Sequence, residues 1–126
     1  MIGSTRAVRV FAYGAPVDLR KGYEGLGALV RNELGRDVLS GDLFLFVNAR
    51  RGRAKVIFFD GTGLCIYMKR LARGRFAAAW DRGEDGPLVW TTTELGLFLE
   101  GAALVGKVPL SPRALDAKEL EPRSTM

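Results

Sequence analysis

Leu43-Phe44-Leu45-Phe46-Val47-Asn48-Ala49-Arg50-Arg51-Gly52-Arg53-Ala54-Lys55-Val56-Ile57-Phe58-Phe59-Asp60-Gly61-Thr62-Gly63-Leu64-Cys65-Ile66-Tyr67-Met68-Lys69-Arg70-Leu71 decides the fold, because it holds three strand-like runs separated by two short turns. Leu43 to Val47 is apolar at every position, which suits a central strand covered on both faces. Asn48 to Arg53 supplies a glycine-containing turn. Lys55 to Asp60 reads as the second strand, Gly61-Thr62-Gly63 as a hairpin loop, and Leu64 to Leu71 as the third strand. Three runs joined so closely form an antiparallel meander.

Upstream, Val8 to Tyr13 is rich in β-branched and aromatic residues and predicts another strand, ended by Gly14-Ala15-Pro16. Asp18 is then placed to cap a helix whose apolar stripe is Leu19, Tyr23, Leu26, Leu29, Val30 and Leu34, with Gly35 as its stop. Gly22, Gly25 and Gly27 weaken the start of that helix. They point either to close packing against the sheet or to a loop that runs on to about residue 22. Downstream, Arg75 to Trp80 and Leu88 to Trp90 suggest a further hairpin around a turn-rich segment, Asp81 to Pro87. Thr91 and Glu94 have capping-box spacing and open a second helix with Leu95, Phe98, Leu99 and Ala102 on its apolar face and Gly101 near its end. The expected architecture is an α+β domain over residues 1–110, an antiparallel meander of about four to six strands with two packed helices. Residues 111–126 lack periodicity and read as a flexible C-terminal tail.

The 126 residues carry 19 Lys and Arg against 14 Asp and Glu, a formal net charge of +5. That surplus is concentrated. Arg50, Arg51, Arg53, Lys55, Lys69, Arg70, Arg73 and Arg75 face only Asp60 between positions 50 and 75, which is +7 in 26 residues, while the other hundred sum to −2. In an up-down-up meander the turn after the first strand and the turn after the third lie at the same end of the sheet. Arg50, Arg51, Arg53, Lys69, Arg70, Arg73 and Arg75 then converge on one rim. Such convergence suits a phosphate backbone, because each neutralised phosphate releases condensed counterions, and Arg, which forks onto phosphate, outnumbers Lys by 14 to 5. The plainer reading is a solvated hairpin rim that keeps a sheet edge from aggregating. Arg20 and Lys21 are possible further contacts at a helix start; equally, Asp18 can pair with one of them at a tight strand-helix junction.

Other chemistry is scarce. With no histidine and one cysteine, Cys65, the chain has neither an internal disulfide nor the ligands of a Cys/His metal site, and it lacks the commonest general base near neutral pH. No metal or other cofactor is expected. Asp60 and Asp18 are the only positions that invite a metal-dependent nuclease reading, and turn formation and helix capping account for them more simply. Phe44, Phe46, Phe58, Phe59 and Tyr67 lie in dense apolar runs and read as core; only Tyr67 and Phe76 are placed to stack on bases, so backbone contact is favoured over base readout. No apolar run reaches the length of a membrane span and the N-terminus lacks a signal-type stretch, so a cytoplasmic protein without membrane contact is expected.

Several segments together resemble a known family. Tyr13-Gly14-Ala15-Pro16-Val17-Asp18-Leu19-Arg20-Lys21-Gly22-Tyr23-Glu24-Gly25-Leu26 is similar to its opening signature, and Ser40 to Phe46 with Arg50-Arg51-Gly52 to its second block. Asp60 to Leu64 and Lys69 to Phe76 resemble the third, and Leu95 to Gly101 the terminal helix. The family is the small accessory protein TnpB of bacterial insertion sequences of the sixty-six family, distinct from the RNA-guided nuclease of that name. The resemblance runs over roughly residues 8 to 104. It departs after Phe76, where Ala77-Ala78-Ala79-Trp80 stands in place of the family's Trp-Pro. It implies a non-catalytic role in transposition beside a separate transposase, with DNA, at or near the element ends, and that transposase as expected partners. The family carries no established catalytic site. Its charged signature positions, here Asp18, Arg20, Lys21, Arg50, Arg51, Asp60, Lys69, Arg70, Arg73 and Arg75, are the candidates for contact. The alternative is an adapter that docks the transposase without touching DNA.

Overall fold

Apolar residues at every position of 43–47 require cover on both sides, and the computed structural model, which describes residues 7–78 and 88–101, supplies it. The described elements are β1 (Val10–Ala12), α1 (Tyr23–Asn32), a 3-10 turn (Val38–Ser40), β2 (Leu43–Val47), β3 (Arg53–Phe59), β4 (Leu64–Arg70), β5 (Leu88–Trp90) and α2 (Thr92–Leu99). The strands form one sheet in the order β4-β3-β2-β1-β5. Successive side chains of a strand point to opposite faces. Phe44 and Phe46 therefore join Phe11 and Ile57 under Leu26 and Val30 of α1. Leu45 and Val47 join Val10, Ala12, Ala54 and Val56 under Leu95 and Phe98 of α2. The fold is α+β, with one helix on each face.

The sheet is mixed, not the purely antiparallel sheet that the strand spacing suggests. β2-β3-β4 is the expected meander, but β1 runs parallel to β2, with Phe11 beside Phe44. The connection 13–42 contains α1, and a helical crossover of that length returns the chain in its original direction. β5 pairs antiparallel with β1, Phe11 opposite Val89, so it closes the far edge. The expected hairpin partner is absent as a strand over Arg75–Ala78. Ala79–Pro87 lie outside the described residues, as do Ala102 and the whole of the expected tail, 111–126.

The helix start also differs from the expectation. α1 begins at Tyr23 with Gly22 as its N-cap and no side-chain cap. Asp18 does not cap it; its carboxylate accepts from the Arg20 N–H and grips the Arg20 guanidinium instead. Leu19 is buried from the preceding loop, not from the helix stripe, and Tyr23 is exposed. The loop running to residue 22 is the alternative that holds. At Gly25 a Cβ would come within 2.9 Å of the Lys21 side chain, which lies back over the first turn.

The second helix is built as its sequence dictates. The Thr91 hydroxyl accepts from the Glu94 N–H at 3.1 Å, and Glu94 Oε1 accepts from the Thr91 N–H at 2.8 Å. Gly101 follows the C-cap with φ 92°, a left-handed conformation that suits glycine. At the entry to β2, Asp42 is a buried carboxylate that accepts from the Arg9 backbone N–H at 3.2 Å and its guanidinium at 3.3 Å. The Leu43 N–H donates to the Arg9 carbonyl, so this ion pair sets the start of the parallel β1-β2 register.

Candidate nucleic-acid interface

The end of the sheet where β2 leaves and β3 enters is built around Asn48. Its side-chain Oδ1 accepts from the Arg53 N–H at 3.1 Å, its own N–H donates to the Arg53 carbonyl, and the Arg51 N–H donates back to the Asn48 carbonyl. Arg51 adopts φ 61°, the only positive value at a non-glycine position among the described residues. A left-handed arginine holds the turn sharply enough for Arg50, Arg51 and Arg53 to crowd one short segment.

β4 returns to this same end. Arg70 stands opposite Arg53 in the ladder and Lys69 opposite Ala54. The Leu71 N–H donates to the Gly52 carbonyl at 2.9 Å, which makes Arg53–Arg70 a non-hydrogen-bonded pair. In that arrangement the Cα atoms approach to about 4.5 Å and side chains are closest. Two like charges directly opposite destabilise a sheet. Among the described residues the ion pairs join Arg9 to Asp42 and Arg20 to Asp18, and neither uses a base of this rim.

The segment after β4 folds back over the turn. The Phe76 N–H donates to the Arg51 carbonyl at 2.7 Å, and the Phe76 ring is fully buried, stacked on Phe98 at 5.0 Å. The loop 71–76 is thus anchored at both ends, and it carries exposed Arg73 and Arg75 alongside the β2-β3 turn. All seven bases expected at the rim lie at one end of the sheet: Arg50 and Arg51 in the β2-β3 turn, Arg53, Lys69 and Arg70 at the strand ends, and Arg73 and Arg75 in the loop after β4.

Because β1 is parallel to β2, the loop after β1 reaches this end too, its Val17 N–H donating to the Val47 carbonyl at 3.0 Å. Lys55 Nζ donates to the Lys21 carbonyl at 3.0 Å, which joins the β1-α1 loop to the rim. Lys55 is a member that reading by turns leaves out. The alternation Arg53-Ala54-Lys55 is the signal for it, since i and i+2 share a face. Arg20 is committed to Asp18, which holds that carboxyl well below its ordinary range through the guanidinium hydrogen bond and raises the arginine in turn.

The aromatic readings need two corrections. Phe76 is core and unavailable for stacking, because its ring closes the α2 side. Tyr67 is not core: it is 48% exposed on the edge strand and belongs to neither core cluster.

The carboxylate that invites a catalytic reading sits at the opposite end of the β3-β4 hairpin. Asp60 Oδ1 accepts from the Thr62 N–H at 2.8 Å, the Thr62 hydroxyl at 3.0 Å and the Gly63 N–H at 2.9 Å. These bonds, the backbone ones foremost, lower its pKa to about 2. Its other oxygen takes the Cys65 S–H at 3.5 Å, and burial followed by that bond pushes the thiol up, which keeps it protonated. Asp60 is a turn-forming aspartate. Among the described residues no three His, Cys, Asp or Glu side chains gather as a metal site would need, and no helix there is long and apolar enough to cross a membrane.

Comparison with known proteins places the chain in a family. The chain is 37% identical over 101 residues to the uncharacterized protein y4jC of Sinorhizobium fredii, covering 80% of this chain and 85% of that one. It is 36% identical over 101 residues to the uncharacterized protein y4hO of the same organism, covering 80% and 86%. No solved structure matches. The family model described as IS66 Orf2 like protein matches residues 8–107, a span that contains the rim, both helices and the whole sheet. The chain belongs to the IS66 Orf2-like family, whose members are associated with transposition in an accessory role.

Proposed function

We propose that the protein is a non-catalytic factor that binds the DNA backbone through the basic rim, at or near the ends of its insertion sequence, and works beside the transposase of the same element. The Arg53–Arg70 pair carries this reading. A like-charged, side-chain-adjacent pair with no carboxylate among the described residues against it is unfavourable for the fold alone, and a phosphate between the two guanidinium forks removes that repulsion. Arg50, Arg51, Arg73 and Arg75 extend the same field along two anchored turns, Lys69 stands beside Arg70 on the other face of β4, and Lys21 and Lys55 continue the field towards α1. The contacts are to phosphate and not to base edges, because the bases sit on turns and strand ends and, among the described residues, the exposed rings Tyr67 and Tyr23 lie on the edge strand and at the start of α1 and not among them.

Fluorescence anisotropy with a labelled duplex tests the reading. Arg50→Gln/Arg51→Gln/Arg53→Gln weakens binding by a similar factor for unrelated duplex sequences. Unchanged affinity of the triple variant overturns it. A pull-down with purified transposase after nuclease treatment separates the adapter alternative: a complex lost on nuclease treatment accords with DNA bridging, and an undiminished one favours direct docking.

A further inference from the structure

The rim uses one end of β4 and leaves its whole outer edge unaccounted for. β4 is the edge strand, and among the described residues no strand pairs with its outer side. The ladder register tells which groups point there. The Leu71 N–H bonds Gly52 and the Asp60 N–H bonds the Gly63 carbonyl. Alternation between those two ends turns Cys65, Tyr67 and Lys69 inward to β3 and leaves the N–H and C=O groups of Leu64, Ile66, Met68 and Arg70 directed outward. Two large apolar side chains stand exposed at the middle of this edge, one on each face, Tyr67 at 48% and Met68 at 54% exposure. Long edges of this kind are normally blunted along their length by charge, proline or a bulge; here the bases Lys69 and Arg70 stand at one end only.

We propose that β4 pairs antiparallel with β4 of a second copy of this chain, centred on Tyr67, to form one continuous ten-stranded sheet. The register follows from the strand itself. A two-fold axis at Tyr67 sets Ile66 against Met68 and Leu64 against Arg70 of the second copy, so all four outward residues on each strand exchange both bonds. Tyr67 then meets Tyr67 at a non-hydrogen-bonded position, where an aromatic pair is closest. Cys65 faces Lys69, which keeps the lysines apart; shifting the axis to Lys69 would set the two lysines against each other. Charge agrees with this direction. The edge is basic at its Arg70 end and acidic at its Asp60 end, so antiparallel pairing brings each basic end towards the acidic end of the other copy, whereas parallel pairing aligns base with base. The second copy is therefore the occupant that the edge fits. In the pair the two basic rims point away from each other, at opposite ends of the shared sheet. The proposal does not depend on what the rim binds.

Sedimentation equilibrium of the full chain tests it. The expected mass is twice the chain's 13.8 kDa. Met68→Pro removes an outward N–H, which an edge strand tolerates, so this variant runs at half that mass and stays folded, and its melting temperature no longer rises with protein concentration as the wild-type dimer's does. Tyr67→Cys in a Cys65→Ser background oxidises to a disulfide-linked dimer, because directly opposed residues bring their Cβ atoms within disulfide reach, whereas Met68→Cys in the same background does not. A wild-type protein that stays monomeric across the accessible concentration range overturns the proposal. So does a dimer unaffected by Met68→Pro.

Discussion

The two ends of the β3-β4 hairpin answer the same problem in opposite ways. At the Asp60 end a single charge is surrounded by donors from its own turn, three of them on one oxygen, and the turn needs nothing from outside. At the other end Arg53 and Arg70 are set against each other by the register, with the bases of two adjoining turns around them. Sequence separation between the charges makes the difference. Asp60 is followed at once by Thr62 and Gly63, which donate to it, whereas the rim gathers residues from positions 50–53 and 69–75 that share only their sign. One end is self-contained; the other leaves like charges facing each other.

The largest effect expected bears on what holds the rim together. Phe76→Ala removes the ring that pins the loop 71–76 against Phe98 and destabilises the fold by about 3–5 kcal/mol, measured by urea denaturation. A loss below about 1 kcal/mol would mean that the loop is held by other means. Asn48→Ala leaves the Arg53 N–H without its side-chain acceptor and costs about 1 kcal/mol, read in the same experiment.

Arg70→Thr has the opposite sign. It replaces a repelled base with a β-former opposite Arg53 and raises stability by a few tenths of a kcal/mol while it weakens DNA binding. A variant that loses stability would show that the pair is not repulsive in the native state. The smallest effect is at the self-contained end and is visible only in acid. Asp60 has its pKa lowered from 3.8 to about 2 by the turn's hydrogen bonds, so its contribution is present above pH 3.8 and is lost as the pH falls towards 2. Asp60→Asn therefore leaves the melting temperature near neutral pH almost unchanged and flattens its decline between pH 4 and 2. A parallel decline in both proteins would detach Asp60 from acid unfolding.

How much of this was legible depends on how local each cause is. The capping box of α2 and the turn at Asp60 involve residues three or fewer apart, and their side-chain types alone announce them. The meander is nearly as plain, because short turns leave only one way to pair β2, β3 and β4, and the meeting of the two basic turns follows from it. The parallel strand β1 was not legible in the same way. Its partner depends on a crossover through α1, and the apolar run 10–12 suits either direction. Asp18 offered two readings, a helix cap or a partner for Arg20 or Lys21, and the pairing with Arg20, two residues on, is the one that holds. Tyr67 was misread as core since its apolar neighbours do not reveal that the strand lies at an edge. Lys55 shares a face with Arg53, which the strand alternation encodes, but its bond to the Lys21 carbonyl across 34 residues is encoded by no local pattern.

The rim's role is tested most directly by the salt dependence of duplex binding. With about four to six phosphates held, the slope of log affinity against log salt is roughly −4 to −5, and Arg53→Gln/Arg70→Gln reduces its magnitude by about 2. A slope near zero, or one that the double variant leaves unchanged, contradicts the account.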